Sequence, residues 1–253
     1  MEAWDDADNI IYALGHHDCM SQIFLKNLPL SVLHRLVPMM QESFPTLTCL
    51  EIYPMDGEPL LVLQDSFLGG SALYLRLLHL YSIHFPTLQN LLLSARNLVN
   101  LELLTIPVSM YISPKVMSTL LPSFPRLKVF YLRFQPLLMD PCLVIQHPPP
   151  THVDLPSLIC FWFSGPNEYL DQLVAQINTP LLYKFEMVFH NQGDLDISQV
   201  TEFINCMEKF KMLNRAEVFF SKQIASLILS SQKETPVVNF PILTVCSRYD
   251  LSE

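Results

Sequence analysis

The residues of this chain best suited to chemistry are eight histidines, six cysteines and twenty-four carboxylates, and they are scattered. His16-His17-Asp18-Cys19 is the densest group of potential metal ligands. It leads into an expected strand at Ile23–Leu25, and neighbours in extended backbone point to opposite sides, so the four converge poorly on one ion. No further ligand stands at metal-site spacing, and the group reads as a polar turn. Phe67-Leu68-Gly69-Gly70-Ser71 holds the only adjacent glycines but lacks the lysine and helix-opening context of a phosphate loop, so it too reads as a turn. No nucleophile elbow, dinucleotide fingerprint or zinc-protease motif occurs. The cysteines (Cys19, Cys49, Cys142, Cys160, Cys206, Cys246) lie far apart with no C-x-x-C pair, unlike metal or dense disulfide frameworks. The sequence predicts no enzyme, no metal and no cofactor.

What the chain repeats is a frame that positions side chains. Leu98-Val99-Asn100-Leu101-Glu102-Leu103 has the pattern apolar-x-x-apolar-x-apolar, which recurs at Leu47–Ile52, Leu75–Leu80, Leu127–Leu132, Leu158–Phe163 and Leu182–Met187. Looser copies begin at Met20 and Leu213, and successive copies start 23 to 31 residues apart. That spacing matches the leucine-rich repeat, whose units run about 20–29 residues. The expected fold is α/β: a leucine-rich-repeat solenoid with a curved, mostly parallel sheet on its concave side and helices and loops on its convex side. Strands are expected near 22–25, 49–53, 77–81, 100–104, 129–133, 160–164, 184–188 and 215–220, in one curved, mostly parallel sheet. Ile224–Leu229 is a further strand candidate, pairing with Glu217–Phe220, and Ile242–Cys246 another.

Between strands the chain must cross the convex side and return. Helical spacing marks Asn9–Leu14, Ser31 to Glu42 (Ser31 as N-cap, Pro38 as a kink), Phe85–Ala95, Ser113 to Leu120, Asn167–Ile177 and Ile197–Lys209. Ser113-Pro114 supplies a cap followed by proline at the first helical position. Pro45, Pro125, Pro156 and Pro180 each stand two residues before a hexamer, where proline cannot prolong the preceding helix. Residues 1–18 form an approach segment, and 19–253 one repeat domain of about eight units. A proline-rich inserted loop at 136–155 interrupts it, Pro148-Pro149-Pro150 reading as surface loop rather than docking motif, and the last repeat is truncated.

In each hexamer the apolar positions point inward and the alternating ones point to the concave face. That face then presents Glu51, Tyr53, His79, Tyr81, Glu102, Tyr131, Arg133, Trp162, Glu186, Glu217 and Phe219. Tyr, Trp and Arg most often anchor protein interfaces, so the partner-binding candidates are Tyr53, His79, Tyr81, Glu102, Tyr131, Arg133, Trp162, Glu186 and Phe219. Glu102 is expected to be exposed, and Gln176 to sit on the outside of the helical layer.

The charge balance narrows the partner. Net charge is -9 and the isoelectric point about 5.3, which argues against nucleic acid. No apolar run approaches the roughly 18 residues of a membrane span, and the acidic start (Glu2, Asp5, Asp6, Asp8) is unlike a signal peptide. A cytoplasmic or nuclear protein that binds another protein is expected.

Several segments resemble one known family. Phe44-Pro45-Thr46-Leu47-Thr48, Asp65 to Ala72, Leu91-Leu92-Leu93-Ser94-Ala95, Tyr111-Ile112-Ser113-Pro114 and Ala175 to Leu182, in this order, are similar to the leucine-rich-repeat portion of the F-box-like proteins expanded in mushroom-forming fungi. The resemblance spans roughly His16 to Leu251 and marks scaffold positions rather than a reactive site. It implies the substrate-recognition part of a Skp–cullin–F-box ubiquitin ligase. The F-box has no counterpart here, and residues 1–18 are too short for it, so a Skp-type adaptor is expected only if an F-box is supplied upstream. The alternatives are a recognition or scaffold protein unrelated to ubiquitin, or a truncated, non-functional family member.

Overall fold

The computed structural model describes residues 7–57, 60–135, 152–190, 198–207, 210, 215–220 and 224–230. Strands alternate with helices or single turns. The first part runs α1 (Ala7–Leu14), β1 (Gln22–Leu28), α2 (Leu30–Leu36), β2 (Cys49–Pro54), β3 (Leu61–Val62), β4 (Leu77–Tyr81), β5 (Ile83–His84), α3 (Leu88–Ser94) and β6 (Asn100–Ile106). Then follow α4 (Pro114–Leu120), β7 (Val129–Phe134), β8 (Val153–Asp154), β9 (Cys160–Gly165), α5 (Asn167–Val174) and β10 (Ile177–Asn178). The last are β11 (Lys184–His190), α6 (Ser198–Cys206), β12 (Arg215–Phe220) and β13 (Ile224–Ser230).

Nine strands form one mostly parallel sheet in the order β1-β2-β4-β6-β7-β9-β11-β13-β12, making the fold α/β. The first seven are parallel, and Leu101 pairs with Phe130 in register. The end differs from the expected series. β13 lies between β11 and β12 and runs antiparallel to both. Only three residues separate Phe220 from Ile224, too few for the crossover that parallel pairing needs. With β13 beside β11, the buried Leu229 falls in line with Phe185, a larger apolar side chain there than Ala216 would be.

Entry into the parallel strands is the same each time. Leu47 donates its N–H to the Phe44 carbonyl, Leu75 to Ala72, Leu98 to Ala95, Leu127 to Phe124, Leu158 to Leu155 and Leu182 to Thr179. Each of these leucines is buried. Four of the six turns have proline directly after the accepting residue, where its fixed φ pre-sets the turn. One carbonyl of the previous strand's entry then accepts the next two N–H groups: Ser21 from Thr48 and Cys49, Thr48 from Arg76 and Leu77, Lys128 from Ile159 and Cys160. This pairing fixes the register before the strand begins.

Two inward rows carry the core. Leu50, Leu78, Leu101, Phe130, Phe161 and Phe185 form one, and Ile52, Leu80, Leu103, Leu132, Phe163 and Met187 the next. They share a single buried cluster with Leu33, Leu36, Leu91, Leu92, Met117, Leu120, Leu170 and Leu173 of the helices. Phe130, Phe161 and Phe185 stack along the row at 5.2 and 5.4 Å, geometry that adds about 0.5–1.5 kcal/mol per pair beyond area burial.

Local details correct several expectations. α2 starts at Leu30 behind Pro29, with no side-chain cap, so Ser31 is inside the helix; it passes into a 3-10 turn at Val37–Met40, where Pro38 lacks an N–H. Ser113 does cap α4, accepting the Val116 N–H at 3.3 Å. Ile177 belongs to β10 rather than to the helix before it, and pairs with Val153, so residues 153–154 of the proline-rich insert form a strand. Residues 136–151 of that insert and Ile242–Cys246 lie outside the described residues, as do residues 1–6 of the approach segment. Asn27, Ser82 and Thr105 occupy equivalent places late in β1, after β4 and in β6, each with φ between 51 and 56°. Left-handed backbone there adds one residue near the C-terminal ends of these strands, and the β1–β2 and β6–β7 registers shift at that point.

Candidate functional site

Alternate strand positions point away from the core and form the second face of the sheet. One row reads Phe24, Glu51, His79, Glu102, Tyr131, Trp162 and Glu186 across seven neighbouring strands, and Ile228 and Glu217 continue it. Two residues further along lie Lys26, Tyr53, Tyr81, Arg133, Ser164 and Phe219. All nine candidate residues are therefore on one face of one sheet, but their environments differ.

The first half of the row is a chain of close polar side chains, exposed at Lys26 and buried at Glu51, His79 and Glu102. Lys26 Nζ is 2.5 Å from Glu51 Oε2, and the same oxygen is 3.5 Å from His79 Nδ1. His79 Nε2 is 3.0 Å from Glu102 Oε1. His79 is 1% exposed and Glu102 4%, which corrects the expectation that Glu102 is open to solvent. The physical reason is crowding from neighbouring strands: Tyr53 and Tyr81 stack at 5.8 Å, and Tyr53 meets the His79 ring edge-on. Glu51, His79 and Glu102 are thus buried within the face, while Tyr53 and Tyr81 lie nearer its surface. Burial raises the Tyr53 pKa, with the charges of Glu102 and Glu51 adding to it. The Cys49 thiol is pushed up to about 11 by burial and then by Glu51, against the opposing pull of Lys26.

The second half is more open. Tyr131, Arg133, Trp162 and Glu186 are half-buried, and Phe219 is 63% exposed. Tyr131 and Trp162 lie 5.8 Å apart with their planes 60° to each other. The Cys160 thiol donates to the Tyr131 hydroxyl at 3.7 Å. Trp162 and Glu186 are paired on neighbouring strands. Burial raises the Glu186 pKa; the Trp162 hydrogen bond and Lys184 oppose this, and Glu217 reinforces it. Tyr131 is raised by burial first, then by Cys160, with Glu102 and Glu186 contributing.

The structure also brings together a pair the sequence did not suggest. Ser164 Oγ and His190 Nε2 are 2.7 Å apart, and burial and then the charge of Arg133 lower the His190 pKa. A neutral imidazole beside a hydroxyl is the relation of base and nucleophile. Ser164, however, is only 2% exposed, so a substrate has little access to it, and the pair reads as a satisfied internal hydrogen bond. A cleft of about 230 Å³ lined by His84, Gln89, Ser109, Met110 and Tyr111 opens elsewhere. Extending strict alternation three residues beyond Met187 would have found His190, and starting at Gln22 would have found Lys26.

His17–Cys19 forms a 3-10 turn, with His17 Nδ1 2.9 Å from the Ser43 carbonyl. Among the described residues no group of three His, Cys, Asp or Glu side chains is placed to hold a metal ion. Nor is any helix among them long and apolar enough to cross a membrane. The Phe67–Gly70 turn places Leu68, Gly69 and Gly70 at positive φ, and a Cβ on Gly69 would come within 3.1 Å of the Ser43 backbone. On the helical side, Gln176 is 3% exposed and accepts the Ser118 hydroxyl at 2.8 Å, so it is internal rather than outward-facing. Neither a protein-family model, nor a curated protein, nor a solved structure matches the chain.

Proposed function

We propose that this chain is a leucine-rich-repeat recognition module whose concave face binds a protein and which catalyses nothing. The repeat reading is supported by the six strand-entry turns in phase, each closed by a buried leucine. The observation that carries the binding reading is the placement of large aromatic side chains on the face away from the core. Tyr53 and Tyr81 stack in its first half, and Tyr131 and Trp162 lie on adjacent strands in its second. Aromatic side chains of this kind supply much of the energy in protein interfaces, and parallel sheets are commonly covered on both faces. By family resemblance the bound protein is a substrate of a Skp–cullin–F-box ubiquitin ligase, with the Skp-type adaptor engaged only by a chain that carries an F-box.

The test is capture of partners from lysate with wild type, Tyr131→Ala/Trp162→Ala and the helix-face control Gln89→Ala, an exposed position of α3. Partners held by wild type and Gln89→Ala, and lost by the double variant, are expected. Equal retention by all three would refute the assignment of the face.

A further inference from the structure

We propose that the partner inserts a lysine or arginine side chain over the Tyr131–Trp162 ring pair, beside the half-buried carboxylate of Glu186. This rests on the recognition reading above and names the chemistry of that same face. The first half of the row already contains such an arrangement, filled from within. Lys26 Nζ lies 5.5 Å from the Phe24 ring centre and 5.6 Å from that of Tyr53, while ion-paired to Glu51 at 2.5 Å. A cation within about 6 Å of a ring face is attracted by the ring's quadrupole, and a neighbouring carboxylate adds its charge. The second half repeats rings and carboxylates. Glu102 and Glu186 both act on Tyr131 from opposite sides, and the exposed Glu217 acts on Glu186. Among the described residues, no lysine or arginine lies over Tyr131 or Trp162.

The nearby cations of the chain do not substitute for one. Lys184 offsets part of the Glu186 charge along the same strand, and Arg133 bears on His190 instead. Glu102, Glu186 and Glu217 against Lys184 and Arg133, all on this face, leave one net negative charge around the ring pair. The whole chain, at -9, draws a basic segment toward the same face and disfavours an acidic one. An extended basic stretch of a partner protein fits both scales.

The experiment pans the full-length protein against a phage-displayed library of random twelve-residue peptides, then measures affinity for the selected peptides by fluorescence anisotropy. Enrichment of lysine or arginine is expected. Affinity should fall about tenfold or more on Glu186→Gln, on Trp162→Leu, and on replacing the peptide's lysine by norleucine or its arginine by citrulline. The peptide replacements use wild-type protein, so they decide the matter even where Trp162→Leu does not fold. Peptides that lose binding on Tyr53→Ala or Tyr131→Ala yet contain no basic residue, or bind Glu186→Gln as well as wild type, overturn the inference and leave the recognition reading standing. Selected peptides insensitive to every change on this face overturn both.

Discussion

Glu102→Ala separates the structure from the simplest reading of the repeat. An outward strand position on an exposed sheet face should tolerate alanine within about 0.5 kcal/mol. Here the carboxylate is 4% exposed and stands 3.0 Å from a histidine that is itself 1% exposed. Removing one side chain so that a buried polar group is left unsatisfied costs about 1–3 kcal/mol. Glu51 still faces the other nitrogen of His79, and Lys26 still faces Glu51, so part of the network survives. A loss of about 1–2 kcal/mol is therefore expected. Urea unfolding followed by circular dichroism reads it as a lower midpoint at unchanged slope. Combining Glu102→Ala with His79→Ala should cost less than the sum of the two by about 1–2 kcal/mol, because the partners are lost together. A Glu102→Ala protein within 0.5 kcal/mol of wild type, or strict additivity in the cycle, would refute the buried chain.

The other expectations are independent of it. Thr105→Gly should raise stability by about 1 kcal/mol, since Thr105 is β-branched at φ 56° and its buried hydroxyl has no hydrogen-bond partner; an unchanged or lower unfolding midpoint contradicts this. Leu101→Ala, at a position 0% exposed in the inward row, should cost about 2–5 kcal/mol by the same assay, and a loss below 1 kcal/mol would mean the row is not core. Glu186 sets a pH dependence. Its pKa in the folded chain is raised, so between the ordinary carboxylate value of 4.5 and the raised one the folded state binds more protons than the unfolded state, and stability falls as pH rises through that window. The difference in stability between wild type and Glu186→Gln should accordingly change across that window and be constant above it; a pH-independent difference contradicts the shift.

The sheet was legible because its inward rows are almost wholly apolar. Leu50, Leu101 and Leu132 sit at fixed offsets in each copy, and the turn leucines precede them at constant distance, so one period finds both strand and register. What lies across strands was not legible. Nothing near Glu102 in the chain announces His79, which arrives from a strand more than twenty residues earlier, nor the tyrosines that crowd it from solvent. The Ser164–His190 contact joins residues 26 apart, and both lie beyond the hexamers that mark their strands. The hairpin at the end was legible as a pair, but its order in the sheet was not. A loose hexamer at Leu213 suggests another parallel strand, but the short connection to Ile224 and the larger side chain of Leu229 place β13 next to β11. Pro29 before α2 shows the same limit at short range: a serine one residue inside the helix looks like a cap until the backbone is known.

The central claim, that the aromatic face away from the core meets a protein, is tested most directly by site-specific photo-crosslinking in lysate. The photoreactive residue p-benzoylphenylalanine is placed at position 131 or 219 on that face, or at position 89 on α3. The account predicts a discrete crosslinked partner from positions 131 and 219, absent from position 89 and competed away by unlabelled wild-type protein. A partner crosslinked from position 89 and not from 131 or 219 would contradict it.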